Sequence, residues 1–395
     1  MSQPNIAVIT GDWSFGVKPL QPGGCGWYRA ALPTKQLIGR GWAAALGLPA
    51  FNHDGFGVIQ DSGGAIHGFD LVLIKILMHR DMVVAMQHAK KAGQTLVVDI
   101  DDFYPGLVES NQAYHFTDPS KSKNVNRDFY YQVIDLADHL TVATQGLYDY
   151  YSRSHPSVHL IRNGIDFERW KPKKVRDRKP TIGWVGGIPW RSNDIETTSN
   201  WLPGLLKDND LMFHHSGHIQ GHKNFWDLAG IDINRVTVSP MMVILDYPQM
   251  FDNIDIGIVP LNDIEFNTLG KSALKGMEYA ASGIPFVAFA TPEYERLAQL
   301  GVGRVARTDQ EWSAHMTELL DFETRKREVK KNYKNLIKAH SMTQRGQEWH
   351  SFLSSLYSSG FVAKRRSMKD EQAVARYCEE LPQGISSNNI EFISG

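Results

Sequence analysis

Two consecutive stretches, Asp255-Ile-Gly-Ile-Val-Pro-Leu261 and Phe266-Asn-Thr-Leu-Gly-Lys-Ser-Ala-Leu-Lys-Gly-Met-Glu-Tyr-Ala-Ala-Ser-Gly-Ile-Pro285, decide the fold. The first is a short β-branched run of the kind buried on both faces of a parallel sheet. It leads through a loop into a predicted helix that begins near Gly270 and stops at Gly283, where glycine suits the residue after a helix end. On such a helix Lys271, Lys275 and Glu278 stand at i, i+4 and i+7 and share one face. A cation in the first turn opposes the helix macrodipole, so Lys271 makes sense there if an anion binds the unpaired N–H groups beside it. Farther along that face, Glu278 could accept hydrogen bonds from two adjacent sugar hydroxyls, such as a ribose diol. The same spacing also describes an exposed helix laced by a Lys275–Glu278 pair, and the three residues alone leave both readings open.

The strand-loop-helix pattern repeats in both directions. Strands are predicted near residues 6–9, 44–48, 71–77, 95–99, 139–142 and 158–161, then near 181–185, 211–215, 236–239, 254–259, 285–289 and 302–306. Strands alternating with helix-length amphipathic stretches give an α/β fold with parallel sheets covered on both faces. A chain of 395 residues is too long for one such core and predicts two domains with a cleft. The expected division is an N-terminal Rossmann-like domain over 1–165, a charged, proline-bounded linker over 166–180 and a second Rossmann-like domain over 181–342. A helix over 343–360 packs back on the first domain, its stripe formed by Trp349, Phe352, Leu353 and Leu356, and 361–395 is a loosely held tail. The basic linker cluster also fits a phosphate-binding patch.

Other segments carry possible chemistry. Thr181-Ile-Gly-Trp-Val-Gly-Gly187 is a strand and glycine turn that lets a backbone approach a pyrophosphate through Gly186 and Gly187. Arg191 could clamp the diphosphate, and Asp194 is expected to cap a helix starting at Ile195. Gly23-Gly-Cys-Gly-Trp-Tyr-Arg29 follows the first strand and opens a helix. Val98-Asp-Ile-Asp-Asp102 ends a parallel strand, the usual place for ligands in open α/β sheets. There Asp99, Asp101 and Asp102 favour contact with a hydroxyl or loop capping over metal binding, because a full set of oxygen ligands is lacking.

Glu278-Tyr-Ala-Ala-Ser-Gly-Ile-Pro285 resembles the second half of the donor-helix motif of family 4 (group 1) glycosyltransferases of the GT-B fold. The resemblance implies a nucleotide-sugar donor on the C-terminal domain, with Gly186, Gly187, Arg191, Ser272, Ala273 and Glu278 as donor-binding residues and Glu278 on the ribose. Arg191, Lys271, Lys275, Asp101 and Asp102 are the expected catalytic residues. Gly270 stands where that family carries a first glutamate, so the usual contact to the transferred sugar is absent or supplied elsewhere. Arg162-Asn-Gly-Ile-Asp166 is similar to the Asn-Gly-Val/Ile-Asp that often ends the family's first domain. The glycine-rich turn, through Gly24, Gly26 and Arg29, resembles the loop that approaches the diphosphate or acceptor. The implied reaction moves a hexosyl group from a UDP- or GDP-sugar to a protein, lipid or glycan hydroxyl with retention, using neither a metal nor a tightly bound cofactor.

Composition excludes several competitors. A formal net charge of -1 gives no polyanion-coating surface, so nucleic acid is not an expected partner. Only Cys25 and Cys378 are present, too few for a disulfide framework or thiolate metal site. His214, His215, His218 and His222 do not form a zinc pattern. Residues 1–10 lack a basic n-region and cleavage site, and no apolar run reaches the roughly 18 residues that span a bilayer, so a cytoplasmic protein is expected. Nucleotide-sugar epimerases, glycoside phosphorylases, a silent sugar-nucleotide or glycan-binding module and a DNA-base glucosyltransferase remain as alternatives.

Overall fold

The computed structural model describes residues 3–14, 18–59, 64–75, 77–191, 193–217 and 224–380; His218, His222 and the tail beyond residue 380 lie outside them. The chain forms two compact units. One comprises Met1–Asp102, His115–Arg162 and Thr343–Gly395, and the other Phe103–Tyr114 and Asn163–Met342.

The first unit holds an eight-stranded sheet in the order Val158–Leu160, His139–Val142, Thr95–Ile100, Leu71–Lys75, Asn5–Ile9, Ala43–Asn52, Gly55–Ile59 and Ala65–Ile66. Its first six strands run parallel and the last two continue antiparallel. The antiparallel edge departs from the expected all-parallel layout. The turn that makes it contains Gly55 at φ +91°, a backbone that side chains other than glycine rarely adopt. The helix Met342–Ser358 buries Trp349, Phe352, Leu353 and Leu356. Within this unit the Tyr357 hydroxyl donates to the Asn5 carbonyl at 2.9 Å and Trp42 Nε1 donates to His350 Nδ1 at 3.0 Å. The expected loose tail is corrected up to residue 380. Helices Phe361–Arg366 and Glu371–Glu380 bury Val362, Val374 and Tyr377, and Arg365 and Arg366 pair with Asp138 and Asp70.

Arg29 is corrected as well. Rather than reaching toward a ligand, its side chain is 1% exposed. It donates to both Asp99 oxygens, at 2.9 and 2.5 Å, and to the Ile161 carbonyl at 2.6 Å. Thr141 donates to Asp99 at 2.6 Å, and the guanidinium lies 5.4 Å from the centre of the Trp349 ring. A buried fork of this kind pins the glycine-rich turn's helix to the sheet and to the C-terminal helix.

The second unit has six parallel strands in the order Val236–Ser239, Met212–Ser216, Thr181–Val185, Ile256–Val259, Phe286–Phe289 and Arg304–Ala306. Its core gathers Trp184, Phe213, Phe225, Ile256 and Ile258, with Trp201 stacked on Trp312 at 4.9 Å. Within 166–180, expected as a solvated linker, residues 171, 172, 174 and 176–179 are exposed, while Trp170 and Lys173 anchor the stretch in this unit. Trp170 is 1% exposed against Phe251, and Lys173 Nζ donates to the carbonyls of Phe251, Asp252 and Ile254 at 2.6, 3.0 and 2.5 Å. Burial pulls the Lys173 ammonium down to about 8 despite the nearby Asp255 and Asp252.

Removing Arg29 would strand the Asp99 carboxylate in the sheet. Arg29→Ala is therefore expected to lower the unfolding free energy by about 3–5 kcal/mol in a urea titration, whereas a side chain that met only a ligand would change it by about 0.5 kcal/mol at most.

Candidate functional site

In the second unit the strand order reverses between the adjacent strands Thr181–Val185 and Ile256–Val259. Ligands of open α/β sheets gather at the carboxyl ends of strands at such a reversal. The two loops that leave those ends, 186–195 and 260–273, contain most of the donor residues expected from the sequence.

One carboxylate ties the two loops together. Asp194 is 2% exposed, and its Oδ1 accepts from the Asn262 amide at 3.0 Å and from Asn267 Nδ2 at 2.8 Å. This corrects the expected helix cap, because Ile195 leads only into a 3-10 turn at Glu196–Thr198 and the next α-helix starts at Leu202. The side chain closes the tertiary loop instead.

Gly186 has φ +158°, and a Cβ there would meet the Trp184 ring at 2.8 Å and an Arg191 nitrogen at 3.1 Å. Glycine therefore leaves room for the Arg191 guanidinium, which lies 5.3 Å from the Trp184 ring centre while Nε donates to the Gly187 carbonyl at 3.3 Å. His215, fully buried, contacts the Gly186 carbonyl through Nε2 at 3.1 Å. His214 is held by Thr237 at 2.7 Å and Ser216 at 3.0 Å. Both histidines thus have structural partners.

The helix expected from Gly270 begins only at Leu274. Phe266–Gly270 forms a wider π-turn, and Lys271 follows it in extended backbone. Lys271 is therefore off the helix and does not share a face with Lys275 and Glu278. Its ammonium lies 4.4 Å from the Phe266 ring centre. Ser272 accepts from Asn163 Nδ2 at 3.0 Å, so the Asn-Gly segment anchors the start of this helix. Ala273 precedes it, buried. At the other end Ser282 is the cap and Gly283 follows at φ +73°.

Lys275 and Glu278 are neighbours on the helix. Lys275 Nζ donates to Glu278 Oε2 at 2.8 Å and also meets the Tyr247 hydroxyl, which donates to the same Glu278 oxygen at 3.2 Å. Glu278 is 2% exposed, so the reading of an exposed, solvated ion pair does not hold. Burial lowers the Lys275 pKa and raises that of Tyr247 well above its ordinary value, and the positive field of Arg191 reaches both groups. The chain thus gathers cationic groups, a helix N-terminus and an oriented carboxylate at one sheet reversal.

The first unit carries a second polar group, also at a strand-order reversal. Asp12 follows Asn5–Ile9, Lys75 ends Leu71–Lys75 and Asp101 follows Thr95–Ile100. Lys75 Nζ lies 3.1 Å from Asp101 Oδ1. Burial opposes ionisation of Asp101, but Lys75 offsets it and holds the carboxyl below its usual range. Burial raises the Asp12 carboxyl, which accepts from the Gly26 amide at 2.6 Å. A Cβ on Gly23 or Gly26 would come within 1.8 or 2.6 Å of Asp12, whereas one on Gly24 would meet nothing within 4 Å. Close wrapping of Asp12, rather than a ligand, requires glycine at 23 and 26. Asp102 is half-buried just beyond the same strand. Asp12 and Lys75 went unread in the sequence, although a charged residue at the carboxyl end of a buried strand is the signal that picks out Asp101. Tyr247 and Asn267 carry no comparable signal. Among the described residues no group of three or more His, Cys, Asp or Glu side chains is arranged to hold a metal ion, and no helix is long and apolar enough to cross a membrane.

Burial lowers His215 to about 4. Below its unfolded pKa of about 6.5 the unfolded chain binds a proton that the folded chain refuses until about 4, so stability falls as pH drops through that window, by about 3 kcal/mol at its lower end. His215→Gln, which can still donate to Gly186, is expected to flatten that part of the pH dependence of the melting temperature. An unchanged slope would show that His215 does not carry it.

The sequence matches no family model and no curated protein. Solved structures do resemble it. Anabaena HepE bound to UDP-glucose aligns with a TM-score of 0.59 at 15% identity, covering 89% of this chain and 100% of that one. A glycosyltransferase from Rickettsia africae aligns at 0.58 with 10% identity, covering 90% and 99%. An α-glucosyltransferase in complex with UDP and a 13-mer DNA containing an HMU base aligns at 0.58 with 11% identity, covering 89% and 100%. Strand order, paired α/β units and these alignments together establish that the chain has the GT-B fold.

Proposed function

We propose that the protein is a glycosyltransferase that moves a hexosyl group from a UDP- or GDP-sugar to an acceptor hydroxyl. The observation that carries this reading is the convergence, at the second unit's strand-order reversal, of the Gly186–Gly187 turn, Arg191, the helix start at Ser272–Ala273 and the Lys275–Tyr247–Glu278 cluster. Structural neighbours that bind UDP-glucose or UDP support the same choice of donor.

Each part answers a feature of that donor. The glycine turn lets main chain approach a diphosphate, while Arg191, Lys271 and the helix N-terminus supply opposing charge. Glu278, held on one oxygen by Lys275 and Tyr247, is oriented to accept from a ribose diol. In the reaction the bond from the anomeric carbon to the diphosphate oxygen breaks and a bond from the acceptor oxygen to that carbon forms. The hydroxyl proton passes to the leaving phosphate, and configuration is retained. The charge left on the phosphate is met by Arg191 and Lys275, so this route uses protein cations and needs neither a metal ion nor a bound cofactor. Asp101 and Asp102, with Lys75 and Asp12, are assigned to the acceptor, a protein, lipid or glycan in the cytoplasm. A net charge of -1 favours these over a nucleic acid.

Arg191→Ala is expected to lower turnover about a hundredfold, as loss of one charge-stabilising donor typically does. Glu278→Ala is expected to weaken UDP binding about tenfold or more. Calorimetry with UDP and release of UDP from UDP-glucose read the two effects, and wild-type values in both variants would overturn the assignment.

A further inference from the structure

We propose that the segment Phe103–Tyr114 is a strap that positions the two donor loops of the second unit, and that Asn111 and the glycine at 270 make nucleotide binding depend on it; this rests on the donor-site reading above. The segment follows a strand of the first unit in sequence, yet it is built into the second.

Its fit is made of close backbone contacts. A Cβ on Gly270 would lie 2.4 Å from the Phe103 amide nitrogen, and one on Gly106 would lie 2.9 Å from the Phe266 nitrogen. Phe103 is 2% exposed. The turn Tyr104–Gly106 therefore lies directly on the π-turn Phe266–Gly270, at a separation that only two glycines allow. Farther on, Asn111 is 2% exposed. It donates to the Trp190 carbonyl at 3.1 Å, one residue before Arg191, while its own oxygen accepts from the Ala113 amide at 2.9 Å. The strap thus holds the loop after Ile256–Val259 at one end and the loop after Thr181–Val185 at the other. These are the same two loops that Asp194 joins through Asn262 and Asn267. Packed on one loop by main chain and tied to the other by the Asn111 side chain, the strap fixes how far apart they stand, and a diphosphate gripped by both must match that spacing. Asn111 is accordingly a positioning residue.

Hydrogen–deuterium exchange of the full chain with and without UDP tests this, together with UDP calorimetry on Asn111→Ala and Gly270→Ala. The expected result is that UDP slows exchange about fivefold or more in 186–191, in 266–278 and also in 103–114. Asn111→Ala, which removes the hydrogen bonds to the Trp190 carbonyl and from the Ala113 amide, is expected to weaken UDP binding about tenfold and abolish the protection of 103–114 while the chain stays folded. If UDP protects the two loops but leaves 103–114 unchanged, or if Asn111→Ala binds UDP as the wild type does, the strap is wrong and the donor site stands. Protection nowhere overturns the donor site and the strap with it.

Discussion

The arrangement of the second unit depends on one carboxylate oxygen. Asp194 Oδ1 accepts two hydrogen bonds from residues about seventy positions later in the chain, and it does so in a buried setting. Charge-assisted bonds of this kind are short and directional, and low local dielectric strengthens them. Without it the loops after two neighbouring strands would lose this direct side-chain link. With it, the glycine turn, Arg191 and the π-turn form one frame on which Asn267 and the helix at Leu274 are set.

Within that frame the Lys275 ammonium lies between the Glu278 carboxylate and the opposing field of Arg191, and burial already disfavours its charged form. Like charges held together without water repel, so the unliganded site stores electrostatic cost. On the proposed function, an anionic donor relieves this cost as it binds. A preorganised positive site of this sort favours the diphosphate most strongly when negative charge concentrates on it, which is the moment of bond cleavage.

Most of the fold was legible because buried parallel strands write themselves as short β-branched runs. Residues 139–142, 181–185 and 236–239 match their strands to the residue. What escaped was set by tertiary contact. Nothing in Phe266-Asn-Thr-Leu-Gly distinguishes a π-turn from the first turn of an α-helix, since the choice follows from Asn267 bonding Asp194 and from Phe103 pressing on Gly270. Arg29 looked like a ligand residue because an arginine beside a glycine-rich turn reads the same whether it faces solvent or a buried aspartate seventy residues away. Glu278 was found through its motif, but Tyr247, which shares its oxygen, lies in a proline-containing turn with no periodic pattern. Local sequence carries secondary structure well and carries the partner of a polar side chain poorly.

The path of the chain has a temporal consequence. Neither unit is a continuous piece of sequence: the second takes residues 103–114 from the first half, and the first takes its last helices from beyond residue 342. During synthesis the ribosome therefore releases the whole of the eight-stranded sheet spanning Asn5 to Leu160 before the helix that covers it exists. The apolar surface awaiting Trp349, Leu353 and Leu356 stays uncovered until the second unit has emerged. Folding of the amino-terminal half is thus completed last, by the carboxyl end of the same polypeptide.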